Sequence, residues 1–283
     1  MNHKEQQGYI TFAQNTTEVD YLELAYLQAL NIKATQRYNS CAVIVDSATN
    51  EMISNRHRLV FDYIIDLPTD NNSPTSNWKL GNEYQVFWLT PFKETIKLES
   101  DLLFTRNIDH WWTAFRLKNI CLSTGTKNYK QEESTVRTYR KLFDDNQLPD
   151  VYNGLMYFRY SQESLTFFNT ARNIFNSWPL IRDTILKNCR EDTPSTDVLY
   201  AITALLVGEE TCTMPSMDFI NFVHMKSGIQ GWGDARTWLE TVMHERDGDI
   251  IRINNINQYH PVHYYDKTYA TKELIEYYES RRN

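Results

Sequence analysis

The stretch from Tyr9 to Val45 constrains the fold more than any other part of this chain, because it reads as strand, helix and strand in succession. Tyr9-Ile10-Thr11-Phe12-Ala13 is a β-favouring run that ends in the polar loop Gln14-Asn15-Thr16-Thr17. Tyr21, Leu22, Leu24, Ala25, Leu27, Ala29, Leu30 and Ile32 then give a largely apolar helix. Cys41-Ala42-Val43-Ile44-Val45 follows as a buried strand ending at Asp46. A crossover helix between two such strands makes a βαβ unit and therefore a parallel sheet. Ligands of parallel sheets gather beyond the carboxyl ends of the strands. That rule puts Gln14, Asn15, Thr16 and Asp46 on the ligand side.

The alternation continues along the chain. Tyr63-Ile64-Ile65-Asp66 reads as a strand and is followed by a polar loop from Thr69 to Asn77. Glu83 to Thr90 reads as a helix, and Thr95-Ile96-Lys97-Leu98 as a strand that runs into Glu99-Ser100-Asp101. Helices are expected at Ile108 to Phe115, Leu165 to Trp178 and Thr196 to Val207, a strand at Met156 to Phe158, and a polar terminal helix at Glu273 to Arg282. No internal repeat or low-complexity linker divides the chain, so a single mixed α/β domain with C-terminal additions is the expectation.

Composition narrows the function classes. With 283 residues, 41% apolar and 13% aromatic, the chain can bury a large core and is not of the disordered class. Its net charge of −7 gives no global attraction to nucleic acid or anionic membrane. No apolar run reaches the length of a membrane span, and Met1 to Gln7 lacks the apolar region of a signal peptide. The four cysteines are scattered without a CxxC pair, which disfavours a disulfide framework or a zinc site. A cytoplasmic setting is expected.

Glu99 and Asp101 carry the chemistry. Two carboxylates at i and i+2 are common and often just a solvated strand end. Here the pair lies between the strand Thr95 to Leu98 and the β-favouring Leu102-Leu103-Phe104. Charge held between buried segments is costly unless compensated. A hard divalent cation does this, since such ions favour carboxylates together with substrate phosphates.

The segment Thr90-Pro91-Phe92-Lys93-Glu94-Thr95-Ile96-Lys97-Leu98-Glu99-Ser100-Asp101-Leu102-Leu103-Phe104 resembles the DxD region of GT-A nucleotide-sugar glycosyltransferases, and within them the glycogenin-like group. The first acid is Glu99 where the family has Asp. Val151 to Phe158 is similar to the family's strand in which an Asn, here Asn153, lies near the donor sugar. Pro194 to Leu199 is similar to its D-Q-D turn, with only the second acid kept, as Asp197. Phe222-Val223-His224-Met225-Lys226-Ser227-Gly228 is similar to its H-x-x-G element.

The resemblance spans roughly residues 8 to 230. It implies a GT-A (Rossmann-like) fold, a mixed, mainly parallel sheet flanked by helices, with C-terminal helical additions. It divides the chain into a nucleotide-sugar-binding half at 8–105, an acceptor half at 106–230 and a C-terminal extension at 231–283. It further implies Mn2+ or Mg2+ held by Glu99, Asp101 and His224, and a nucleotide-diphosphate sugar, a UDP-sugar, as donor. Gln14, Asn15, Thr16 and Asp46 would contact the nucleoside, and Lys226 and Gly228 the diphosphate. Asn153, Asp197 and the metal-bound Asp101 would form the catalytic set, and the anomeric configuration would be retained.

Several residues also have an ordinary structural reading. His224 can be a satisfied core histidine, Lys226 a surface lysine, Asp197 a first-turn acid of a helix, and Asp46 a turn former. His260 and His263 have metal-ligand spacing in Tyr259-His260-Pro261-Val262-His263-Tyr264, but with no helix and no third acid nearby the structural reading is preferred. Trp111-Trp112 reads as core.

From Arg106 to Lys141 the chain carries eight basic residues against three acids, with Tyr129 and Tyr139 interleaved. This stretch is either a solvated face or a DNA acceptor surface. The small, Asn-rich, signal-free chain resembles tailed-phage sugar transferases, some of which modify hydroxymethylated pyrimidines in DNA. A glycan or protein hydroxyl is the alternative acceptor. Because the acidic motif is altered, a nucleotide-sugar-binding module without catalysis is the reading from a different class.

Overall fold

The computed structural model describes residues 5–72, 79–134, 140–214, 221–226, 238–245 and 250–281. Strands β1 (Glu5–Ala13), β2 (Cys41–Val45), β3 (Tyr63–Asp66) and β4 (Phe92–Leu98) are parallel, in the spatial order β3-β2-β1-β4. Then come β5 (Leu102–Leu103), β6 (Ile120–Thr124), β7 (Thr126–Lys127), β8 (Glu133–Ser134) and β9 (Val151–Arg159). β9 pairs antiparallel with β4, and β6 antiparallel with β9, which completes a mixed six-stranded sheet. The fold is thus the expected α/β class, a mixed sheet flanked by helices.

The expected βαβ unit is present. β2 is buried at every position, as a strand covered on both faces requires. Its crossover helix, Tyr21–Thr35, starts where the Asp20 carboxylate accepts the Glu23 N–H at 3.0 Å. That helix is apolar nearly all round because it is covered twice. One side faces the sheet and the other meets the C-terminal helix Lys272–Glu279, where Asn31 donates to the Tyr278 hydroxyl at 2.9 Å and Tyr26 donates to Glu279 at 2.7 Å. β1 and β4 approach closely at Gly8, where a Cβ would stand 2.4 Å from the Phe92 ring. Trp111 and Trp112 are core residues, as expected, and Trp112 meets Tyr9 edge to face at 5.6 Å.

The remaining strands are β10 (Val223–His224), β11 (Val242–Glu245), β12 (Ile250–Ile253), β13 (Ile256–Asn257) and β14 (Val262–His263). β11, β12 and β13 form a meander. A second sheet runs β5-β14-β10-β7-β8. Among the described residues the C-terminal region therefore adds the strands β11 to β14 to the expected helix. The helix expected at Glu83 to Thr90 begins as a tighter 3-10 turn, Leu80–Gln85, before Val86–Leu89. Among the described residues no helix is long and apolar enough to cross a membrane.

Two features position the site. The strand order reverses between β1 and β4, which creates a crevice at their carboxyl ends. In addition, β4 belongs to the large sheet and β5 to the small one, so the turn Glu99-Ser100-Asp101 joins the two sheets.

Candidate functional site

The turn is held from both sides by backbone. The Glu99 N–H donates to the Gly154 carbonyl at 3.1 Å on β9, and the Tyr264 N–H donates to the Asp101 carbonyl at 3.0 Å. Gln28 on the crossover helix donates to the carbonyls of Glu99 and Leu102. Asp101 is buried, while the Glu99 side chain keeps 27% of its exposure.

The third member of the cluster is His263, not the expected His224. β14 lies between β5 and β10, pairing His263 with Leu102 on one side and with His224 on the other. His263 Nε2 thereby sits 3.1 Å from Glu99 Oε2 and 2.9 Å from Asp101 Oδ2. One ligand atom from each of these three residues falls within 4.8 Å of the others. His224 stands one strand further out, with its ring centroid 4.7 Å from that of His263. The HxxH spacing of His260 and His263 does not bring both to the acids, since His260 Nδ1 contacts Gln131 Oε1 at 2.7 Å.

Electrostatics makes the carboxylates unequal. Burial alone raises the pKa of Asp101, but His263 and Lys267 against it hold it well below the usual carboxylate range. Burial raises Glu99, partly opposed by His263. Burial drives His224 well below the ordinary imidazole value, with His263 and Lys226 adding repulsion. For His263 the neighbouring carboxylates overcome burial and raise the value. Lys267 forms an ion pair with Asp101 Oδ2 and is likewise raised by Asp101 against the opposing pull of burial.

The donor set suits a hard or borderline divalent ion: two carboxylates and an imidazole. With metal–ligand distances of about 2.1 Å, one ion can reach all three after small side-chain rotations. Orphaned polar atoms support the fit. Asn153 Oδ1 and His224 Nδ1 beside the cluster are buried and lack a hydrogen-bond partner among the described residues, as does His263 Nδ1, the ring nitrogen other than the one that meets the acids. Buried polar atoms are rarely left so without a ligand or water to meet them.

Asn153 and Asp197 come to the same place. The Asp197 carboxylate accepts the Asn153 N–H at 2.6 Å, and its other oxygen accepts Arg140 Nη2 at 3.0 Å. Arg140 is buried, 3.6 Å over the Tyr152 ring, and also donates to the Val151 carbonyl at 2.8 Å. Asp197 lies in the first turn of the helix Thr196–Val207, so its structural reading holds alongside the functional one. Asn153 Nδ2 donates to Glu83 and stands 3.4 Å from Glu99 Oε1. Glu83 in turn pairs at 2.7 Å with Lys97, a fully buried lysine two residues before Glu99 on β4. Gly154 leaves room for the Phe222 ring, which a Cβ would meet at 2.7 Å.

Lys226 stands 5.3 Å from the centre of the Tyr265 ring, and Lys267 lies 5.4 Å from the same ring. Burial lowers the Lys226 pKa, while Asp197 and Glu99 pull it back up. Gly228 lies outside the described residues.

The four strand-end residues make local structure. Asp46 caps the short helix Ser47–Asn50 through the Thr49 N–H at 2.8 Å, and Gln14 donates to its other oxygen at 3.5 Å. Asn15 accepts the Leu22 N–H at 2.9 Å and donates to Asp20 at 2.9 Å. Thr16 Oγ accepts the Val19 N–H at 3.1 Å. In the basic stretch, Arg116 pairs with Glu94, Lys118 reaches the Glu210 carbonyl, and Lys127 and Arg140 are buried. Arg137 and Tyr139 lie outside the described residues.

The sequence reading weighed His263 and preferred a structural role for it, counted Arg140 only within the basic stretch, and did not single out Lys267, Glu83 or Lys97 as site residues. Signals existed for His263 and Lys97. Val262-His263 repeats the dipeptide Val223-His224, and the two short strands pair in parallel at those residues. Lys97 sits between Ile96 and Leu98 in a strand meant to be buried on both faces.

No protein-family model matches the chain, and no curated protein matches it in sequence. Solved structures similar to it include the glycosyltransferase GlyE of Streptococcus pneumoniae TIGR4, at 10% identity and a TM-score of 0.46, over 75% of this chain and 46% of that one. The chain thus spans less than half the length of GlyE. Mouse xyloside xylosyltransferase 1 is similar at 9% identity and a TM-score of 0.43, over 74% of this chain and 85% of that one. The galactosyltransferase LgtC, in complex with donor and acceptor sugar analogues, is similar at 10% identity and a TM-score of 0.42, over 70% of each chain. At TM-scores below 0.5 these likenesses carry no argument for activity, which rests on the residues of the site.

Proposed function

We propose that this chain is a metal-dependent glycosyltransferase that moves a sugar from a nucleotide-diphosphate donor, a UDP-sugar, to an acceptor hydroxyl. The observation that carries the reading is the convergence of Glu99, Asp101 and His263 on one point at the carboxyl end of β4, beside the crevice where the strand order reverses. Glu99, Asp101 and His263 would hold Mn2+ or Mg2+, replacing His224 in the role first expected for it. When bound, the ion supplies Lewis acidity that neutralises charge developing on the leaving diphosphate. Lys226 adds a cation on the same side.

Asn153 and Asp197 would orient the donor sugar and the incoming hydroxyl. The Asn153 side-chain oxygen Oδ1 is a buried acceptor lacking a partner among the described residues, so a sugar hydroxyl can donate to it. Asp197 keeps its carboxylate fixed through Arg140 and the Asn153 N–H. The nucleoside would lie against the half of the chain at 8–105, without using the Asp46 carboxylate, which the Thr49 N–H and Gln14 already engage.

The acceptor proposed is a hydroxyl of a glycan or a protein. Among the described residues of the stretch from Arg106 to Lys141, Arg116, Lys118, Lys127, Lys130 and Arg140 are buried or engaged by the protein itself, which weakens the case for a continuous DNA-binding face. A salt series of duplex-DNA binding checks this choice, and salt-dependent affinity would restore the DNA acceptor.

The deciding experiment is a donor screen by mass spectrometry with Mn2+, run in parallel on the Asp101→Asn variant. Sugar release or transfer from one nucleotide-sugar by the wild type alone supports the reading. Binding without turnover points to the non-catalytic module, and full activity in the variant overturns the metal role.

A further inference from the structure

We propose that Lys267 is a built-in counter-cation that competes with the divalent ion for Asp101 and keeps the affinity of the protein for the bare ion low. The inference rests on the metal-binding reading given above.

The oxygen in question is a single atom. Asp101 Oδ2 contacts both Lys267 and His263 Nε2, and it belongs to the cluster that would hold the ion. Asp101 is only 3% exposed, so water does little to screen the ammonium from an incoming divalent ion. Lys267 and the ion repel one another across that carboxylate, so loading the ion works against the Lys267 ion pair.

The structure provides somewhere for it to go. The Lys267 side chain keeps 28% of its exposure, and its ammonium lies 5.7 Å from the centre of the Tyr21 ring as well as near the Tyr265 ring. Two aromatic faces can hold the displaced cation. The local backbone sets up the contact: Tyr265 adopts a φ of 53°, which turns the chain after β14 so that Lys267 comes back over the acids. Asp266 then starts the short turn Lys267–Tyr269 by accepting the Thr268 N–H at 3.0 Å.

The test is a calorimetric titration of MnCl2 into the full chain without any nucleotide, for wild type, Lys267→Met, Lys267→Gln and Lys267→Arg. Melting curves taken without metal check that each variant is folded. The expected result is Mn2+ affinity tightened roughly tenfold or more in the two neutral variants, with Lys267→Arg within about threefold of wild type. Equal affinity in wild type and the neutral variants would overturn the proposal and leave the metal reading standing. Absence of Mn2+ binding in every variant would overturn both. A measurement on the wild type needs no variant: the NMR signal of the Lys267 ε-methylene, followed through a MgCl2 titration, should move in step with binding. A signal that stays fixed while Mg2+ binds would also overturn the proposal.

Discussion

The loop beyond β1 and β2 and the turn between β4 and β5 both lie past the carboxyl ends of parallel strands, yet their chemistry differs. In the loop the polar groups satisfy one another. Asp46 takes Thr49 and Gln14, Gln14 takes Asn82 at 3.3 Å, and Asn82 reaches Asp70 at 2.7 Å. In the turn, two carboxylates converge on one imidazole, and three buried polar atoms nearby are without partners among the described residues. A closed relay fixes backbone; an open cluster is built to receive something. Position on the sheet selects both regions equally, and only the hydrogen-bond inventory separates them.

Substitutions on the two sides test that contrast. Asp101→Asn should show the largest effect, a loss of turnover of roughly a thousandfold, about 4 kcal/mol, with far-UV circular dichroism unchanged. Activity near wild type would break the contrast outright. Lys97→Met should destabilise the fold by about 3–5 kcal/mol in urea titrations, because Glu83 is left buried without its cation. The double variant Lys97→Met/Glu83→Gln should recover part of that loss. His263→Ala should weaken Mn2+ binding by roughly tenfold to a hundredfold, measured by calorimetry, and His224→Ala by clearly less. The reverse order would return the ligand role to His224. Asp46→Ala should show the smallest effect, about 1 kcal/mol of stability from the lost cap, with donor KM unchanged. A KM effect larger than the stability effect would make the loop part of the donor site after all.

Much of the large sheet was readable because its strands and crossover helix are long enough to show a period. The run from Tyr9 to Val45 and the strand into Glu99 contain enough apolar positions for that. Asp101 was found for the same reason, since its place at a strand end follows from the strand. His263 was noticed but set aside for want of a nearby acid, because β10 and β14 have two residues each and no period exists in two residues. Their pairing is a tertiary event that joins His263 to a turn far away in sequence. The Glu83–Lys97 pair was hidden differently. Charged side chains are nearly always exposed, so a buried pair contradicts the prior that sequence reading depends on. Asp46 shows the converse: a local backbone-shaping role was legible as a turn former, and it proves to be a helix cap, since both are decided within a few residues.

The small sheet also has a consequence for when the protein becomes competent. The six strands of the large sheet end at Arg159, whereas His263 is contributed by β14. A ribosome adds about 5–20 residues per second, so the large sheet can form about 5–20 s before His263 is made. Until then the acids have no imidazole and Asp101 has no Lys267. A nascent chain can therefore carry the strands of its large sheet before it has a completed cation site, and the site matures only once β14 has been made.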